Sequence, residues 1–266
     1  MNTSVTPVSR LLDLQGKTAI VTGASGGIGS AIAHRLAQAG ARVAVHFHSN
    51  SASAERVVEG IRLIGGNASA IRADLRDEAE CKSLLEQTTG DLGLPCILVN
   101  NAGIQPVSHI PDLTNTETHE VLSTNIATPV LLTRLFATLQ IDGNSSNSTS
   151  SITNIASIEG LHPASGHAHY ASSKAALIMF TRAAAVELGV HGIRVNAVSP
   201  GLINRDGLAE NWPEGVQRYT AAAPLGTIGE ATDIADSVLF LSSAAARWIT
   251  GTNLVVDGGV SSAATW

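Results

Sequence analysis

The chain has 266 residues, 44% of them hydrophobic, with 16 Lys and Arg against 22 Asp and Glu for a formal charge of −6. That composition excludes wholesale disorder, and an acidic balance without a basic stripe predicts no nucleic-acid partner. Two cysteines, Cys81 and Cys96, cannot make a disulfide framework and predict a reducing, cytoplasmic setting. No run of eighteen apolar residues occurs, so no membrane partner is expected. Residues 1–13 lack the positive start and apolar core of a signal peptide and read as a flexible arm. Without such a signal, the sequons at Asn67, Asn144 and Asn147 are read as accidental.

Strand and helix patterns then alternate. Residues 17–22 (KTAIVT) form a short β-rich run, followed by glycines and a helical stretch over 28–39 that Gly40 closes. Strands are predicted at 42–47, 69–73 and 96–100, with helices at 53–64 and 77–88 between them. A long helix is expected over 116–139, bent or broken by Pro129. The polar run 143–151 reads as a surface turn before a strand at 151–156. Helices at 169–188 and 230–242 and strands at 193–198 and 252–256 complete the pattern. Apolar strands alternating with amphipathic helices predict an α/β fold: a doubly wound parallel sheet of about seven strands, with helices on both faces. No linker divides the chain, so residues 1–266 are read as one domain.

The run TGASGGIG at 22–29 places Gly23, Gly27 and Gly29 between a strand and a helix. Glycines suit a sharp turn that approaches a pyrophosphate closely, and the helix start offers free N–H groups to an anion. Close packing alone would also use them. The second strand ends at His46-Phe47-His48-Ser49-Asn50, without the acidic residue that often holds the adenosine ribose of NAD. Its absence, with Ser49 and Asn50 as donors, favours NADP, although no Arg or Lys lies in the stretch to balance a 2′-phosphate; NAD stays open. Asp74 follows the third strand, where it could accept from an adenine amino group or cap the next helix. Asn101-Ala102-Gly103 follows the fourth strand, small enough for a flat cofactor to lie against the backbone.

Tyr170 and Lys174 are four apart in a helical stretch and share a face. An ammonium beside a phenol stabilises phenolate, so the spacing predicts a lowered tyrosine pKa and a proton donor or acceptor. Ser157 lies thirteen residues earlier, just past a strand, where its hydroxyl could hold a substrate oxygen. An i,i+4 surface pair and a loop serine would give the same pattern.

Together these motifs resemble the short-chain dehydrogenase/reductase family in its compact form, over roughly 14 to 260. By that resemblance Gly23, Gly27, Ile28 and Gly29 line the dinucleotide phosphates, and Asn100 to Gly103 form the adenine-side motif. Asn125 orders a water near the active-site lysine, and Ser157, Tyr170 and Lys174 are the catalytic serine, tyrosine and lysine. Pro200-Gly201 resembles the turn beside the nicotinamide, and Val256-Asp257-Gly258-Gly259 the terminal strand signature. The cofactor contacts this implies also include Ser25, Ser49, Asn50, Asp74, Leu75, Tyr170, Lys174 and Ile203. The implied activity is hydride transfer between NADP(H) and a ketone or secondary alcohol, including 3-oxoacyl thioesters. An NAD-dependent alcohol or sugar dehydrogenase is the alternative, and a non-catalytic dinucleotide-binding protein a further one. No metal is expected.

Where the family often has a threonine, this chain has Arg205, which could face cofactor phosphates or solvent. Residues 202–224 resemble the family's substrate lid, with Leu202, Leu208 and Trp212 as an apolar wall; Trp212 could instead be a packing residue. Glu159 could receive a polar or cationic group or be a surface carboxylate. His162, His167 and His169 read as loop surface. Alanines in 169–188 permit close helix approach, and the family implies a homodimer or homotetramer, with Ser261–Trp266 able to dock on a neighbour.

Overall fold

The computed structural model describes residues 6–143 and 150–262. Seven strands pair in parallel: β1 (Thr18–Val21), β2 (Arg42–Phe47), β3 (Asn67–Arg72), β4 (Ile97–Asn100), β5 (Ser150–Ile155), β6 (Ile193–Pro200) and β7 (Asn253–Val256). Their order in the sheet is β3-β2-β1-β4-β5-β6-β7. The order reverses between β1 and β4, and a crevice opens there at the strands' carboxyl ends.

Alternation along each strand feeds two cores. Ala19, Val21, Val43, Val45, Ile97 and Val99 point to one face, where they meet Ile32, Leu36, Ile61 and Val238. Ile20, Ala44 and Leu98 point to the other, against Leu84, Leu132 and Phe136. Both faces are dry, so the strands read as nearly continuous apolar runs. The first face is covered by α1 (Gly27–Gln38), α2 (Ser51–Leu63) and α9 (Ala231–Ser242), the second by α3 (Glu78–Leu92), α5 (Thr128–Asp142) and α6 (Ala168–Leu188).

The long helix expected over 116–139 is two helices. Helix α4 (Asn115–Leu122) runs into a π-helical turn, Ser123–Ala127, before α5 begins. Pro129 sits in the first turn of α5 and has no N–H for the Asn125 carbonyl four residues back, so the widened turn falls immediately before it. The 202–224 stretch contains two short helices, α7 (Leu208–Asn211) and α8 (Pro213–Ala222), that hydrophobic periodicity did not mark. At the amino end, Val8–Arg10 form a 3-10 turn, and the Leu11 carbonyl accepts the Ala245 N–H at 3.2 Å. Most of the polar run 143–151, with Asn144 and Asn147, and the end of Ser261–Trp266 lie outside the described residues. Among the described residues no helix is long and apolar enough to cross a membrane.

Candidate active site

The glycine turn is shaped by contacts that only glycine permits. Gly23 has φ +62°, and a Cβ there would sit 3.0 Å from the Ala102 Cα. A Cβ on Gly29 would overlap the Gly23 carbonyl and the Asn101 side chain. Gly26, the residue before α1, places no side chain over the helix's first N–H groups. These groups, at Gly27, Ile28 and Gly29, form an anion-receptive end over a close backbone cradle, which fits a dinucleotide pyrophosphate. The turn is braced from two sides. Asn101 Nδ2 donates to the carbonyls of Thr22 (2.9 Å) and Gly23 (3.2 Å), while Thr22 Oγ1 accepts the N–H groups of Asn101 and Ala102.

The second brace is His46, which the sequence marked only as the end of a strand. Its Nδ1 accepts the Gly23 N–H at 3.0 Å, and its Nε2 lies 3.0 Å from the Ala73 carbonyl, which fixes the Nε2–H tautomer. The ring is buried, and burial pushes its pKa down to about 4.

Beside the turn lies a cavity of about 390 Å³. It gathers Gly23, Ser25, Ser49 and Asn50 with Asp74, Leu75, Asn101, Ala102 and Gly103. Asp74 does not cap α3; Asp77 does, accepting the Ala79 N–H at 2.7 Å. Arg76 holds both Asp74 carboxylate oxygens, at 2.9 and 2.7 Å, and keeps that carboxyl well below the usual range. Arg76, a cation the second strand's end lacks, lines the same cavity, as do His48 and the Glu120 carboxylate. Asn50 Oδ1 is taken by the Ser53 N–H as the α2 cap, leaving its amide donors for a ligand.

Gly103 links this cavity to the second half of the site. A Cβ there would lie 3.2 Å from Asn125 Oδ1 and 3.5 Å from Lys174 Nζ. Asn125, buried in the π-helical turn, exchanges two 2.9 Å bonds with the Ile104 backbone and donates to Ser173 Oγ at 3.1 Å. Tyr170, Ser173, Lys174, Leu177, Ile178 and Thr181 form the buried stripe of α6, so Tyr170 and Lys174 are core-facing and the surface-pair alternative fails. Lys174 Nζ donates to the Ile155 carbonyl at 2.8 Å and lies 5.6 Å from the centre of the Tyr170 ring. Ser157 is buried at the end of β5, close enough that its hydroxyl lowers the Tyr170 pKa. The net shift nevertheless runs opposite to the expected lowering. Burial pushes the phenol up to about 12 and the Lys174 ammonium down to about 8. The sequence shows the spacing but not the dryness of the site.

Gly201 lies under Tyr219, whose hydroxyl donates to the Asp257 carbonyl at 2.9 Å and ties α8 to the end of β7. Ile203 bridges to Gly229 and packs against the core below α1, and Pro200 ends β6; none of the three lines the cavity. Arg205 is exposed. Trp212 stacks on Gly215 and lies beneath Arg218, with 45% of its surface still open. The three histidines part company: His162 is exposed, His167 pairs with Glu159 at 2.8 Å, and His169 is buried in the first turn of α6 rather than in a surface loop. Cys81 and Cys96 are both buried free thiols.

A family model described as enoyl-(acyl carrier protein) reductase matches residues 23–261. A 3-oxoacyl-[acyl-carrier-protein] reductase of Staphylococcus aureus is 36% identical over 253 residues, covering 92% of this chain and 98% of the relative. Among solved structures, a 7α-hydroxysteroid dehydrogenase complexed with NADH and 7-oxo glycochenodeoxycholic acid superposes with a TM-score of 0.89 at 36% identity, covering 96% and 98% of the two chains. A gluconate 5-dehydrogenase of Burkholderia cenocepacia, in complex with NADP and tartrate, gives 0.88 at 26% identity, again covering 96% and 98%.

Proposed function

The chain belongs to the short-chain dehydrogenase/reductase family and is an NAD(P)-dependent oxidoreductase acting on ketone and alcohol substrates; from that premise we propose that it is a carbonyl reductase with Ser157, Tyr170 and Lys174 as its catalytic residues and NADP(H) as its preferred cofactor. The observation that carries this reading is the meeting of a serine hydroxyl, a phenol and an ammonium in one dry corner beside Gly103. When bound, the nicotinamide cofactor supplies the hydride in reduction and takes it in oxidation. Ser157 Oγ accepts the Glu159 N–H at 3.1 Å, which leaves its own O–H to donate to a substrate carbonyl oxygen. Tyr170 O–H donates to the same oxygen and gives up its proton as negative charge develops there. A phenol pushed up to about 12 stays protonated at neutral pH, which suits the reducing direction. Lys174 supplies positive charge beneath the ring and donors for ribose hydroxyls. Asn125 holds the loop after β4 in place and orders a water on the path to Lys174.

The NADP preference is supported by the absence of a carboxylate at the end of β2 and by Arg76, which neutralises Asp74 and lines the adenosine cavity with His48. With Asp74 held by Arg76, Glu120 is the remaining carboxylate among the residues that line this cavity. A 3-oxoacyl thioester substrate is supported by the Staphylococcus aureus relative. Residues 202–224 are proposed as the substrate lid, hinged where Tyr219 meets Asp257. The exposed apolar side chains Val130 on α5 and Met179 and Val186 on α6 support a homodimer across these helices, extended to a homotetramer, and the two free thiols support a cytoplasmic setting.

A spectrophotometric screen of ketones and alcohols with NADPH, NADH and their oxidised forms tests the assignment. Ketone-dependent NADPH oxidation is expected, at about tenfold higher kcat/KM than with NADH. Turnover with NADH alone would remove the cofactor preference, and no turnover of any ketone or alcohol would remove the catalytic assignment.

A further inference from the structure

The loop after Ser157 carries a carboxylate that this mechanism does not use. Ile158–Gly160 form a 3-10 turn pressed onto α6: a Cβ on Gly160 would lie 2.9 Å from the Lys174 carbonyl carbon and the Ala175 nitrogen. Glu159 projects from this turn and ties three loops together. Gln105 Nε2, from the loop after β4, donates to Oε1 at 2.9 Å. His167 Nδ1, at the start of α6, lies 2.8 Å from Oε2. The His167 ring in turn meets Tyr170 edge-on, with centroids 6.0 Å apart. Both Glu159 and His167 keep about a sixth of their side-chain surface open, at 16% and 17%. The carboxylate is therefore fixed on the turn beside Ser157, near enough for its charge to act on Tyr170, and among the described residues its pair is His167 rather than a Lys or Arg.

Resting on the reductase reading above, we propose that Glu159 is a specificity-determining residue of the substrate mouth, selecting a neutral carbonyl compound that bears a hydroxyl group over one that bears a carboxylate. A carboxylate offers about four lone-pair positions, and Gln105 and His167 take two. The lone pairs left on Glu159 suit a substrate that brings O–H donors. An oxo acid would set a second negative charge against Glu159 in a partly desolvated opening, where like charges repel more strongly than in water.

Three methyl ketones of similar size test this: 4-hydroxy-2-butanone, acetoacetate and 2-pentanone, each followed with NADPH. Wild-type kcat/KM is expected to favour the hydroxyketone over acetoacetate by about tenfold, the order of effect a partly screened charge at this range produces. In Glu159→Gln the ratio is expected to collapse toward one, chiefly through better turnover of acetoacetate. A ratio taken within one preparation does not depend on how much of the variant folds. Equal use of the two by wild type, or an unchanged ratio in Glu159→Gln, overturns the proposal while the reductase reading stands. Binding of NADPH with no reduction of any of the three overturns the proposal, and the reductase reading falls with it only if the wider ketone and alcohol screen is negative too.

Discussion

The imidazole of His46 accepts the backbone N–H of Gly23, so the first glycine of the cofactor turn hangs on a ring from the neighbouring strand. This bond requires an unprotonated Nδ1. Burial holds His46 at about 4, against 6.5 for an unfolded histidine. Between those values the unfolded chain binds a proton that the native chain refuses, so native stability falls as pH drops from 6.5 towards 4. The shift corresponds to about 3 kcal/mol at the acid end of the window. Urea denaturation at intervals from pH 7 to 4 checks it. His46→Gln should flatten that dependence, and an equally steep profile in the variant would assign the acid loss elsewhere.

Removing the phenol oxygen leaves the cofactor cradle untouched. Tyr170→Phe should lower kcat for ketone reduction by about 10³-fold while the NADPH dissociation constant changes little. Single-turnover kinetics together with a fluorescence titration of NADPH separate the two. Turnover within tenfold of wild type would show that another group delivers the proton.

Lys174 titrates near pH 8 because its burial disfavours the ammonium. The charged form is therefore lost as pH rises through that value. The kcat/KM for reduction should be level below pH 7 and decline above about pH 8, and Lys174→Met should be nearly inactive on both sides. A wild-type profile flat to pH 10 would contradict the role given to this ammonium.

Gly29 sits against the Gly23 carbonyl with no room for a methyl group. Gly29→Ala should push the turn apart, cost about 1–3 kcal/mol of stability and weaken NADPH binding at least as much as it slows turnover. Thermal melting with and without NADPH reads both effects.

Arg76 is the cation proposed to favour NADPH. Arg76→Ala frees the Asp74 carboxylate at the adenosine cavity and should lower the NADPH to NADH ratio in kcat/KM by about tenfold. A parallel loss for both cofactors would mark the arginine as a general adenosine contact instead.

The sheet was readable because its central strands β1, β4, β5 and β6 are buried on both faces, while the edge strands β3 and β7 are only partly covered. That Tyr170 and Lys174 share one face was readable because a helix turns spacing into direction. What escaped depends on neighbours far along the chain. His46 acquires its contacts only because β2 lies between β1 and β3, a relationship that local pattern does not contain. Asp74 and Asp77 are equivalent candidates for capping α3 until the helix start is placed. His169 carries no periodic signal of burial, and the upward shift of Tyr170 follows from a dry environment that spacing alone does not reveal.

The widened turn at Ser123–Ala127 makes the placement of Asn125 depend on the length of this segment. A π turn accommodates one residue more than an α turn, so deleting a single residue there would restore regular winding and rotate everything on one side of it by roughly 100°. Asn125 would swing away from Ile104 and Ser173. Point substitutions on the exposed side of the segment should be far better tolerated than any change in its residue count.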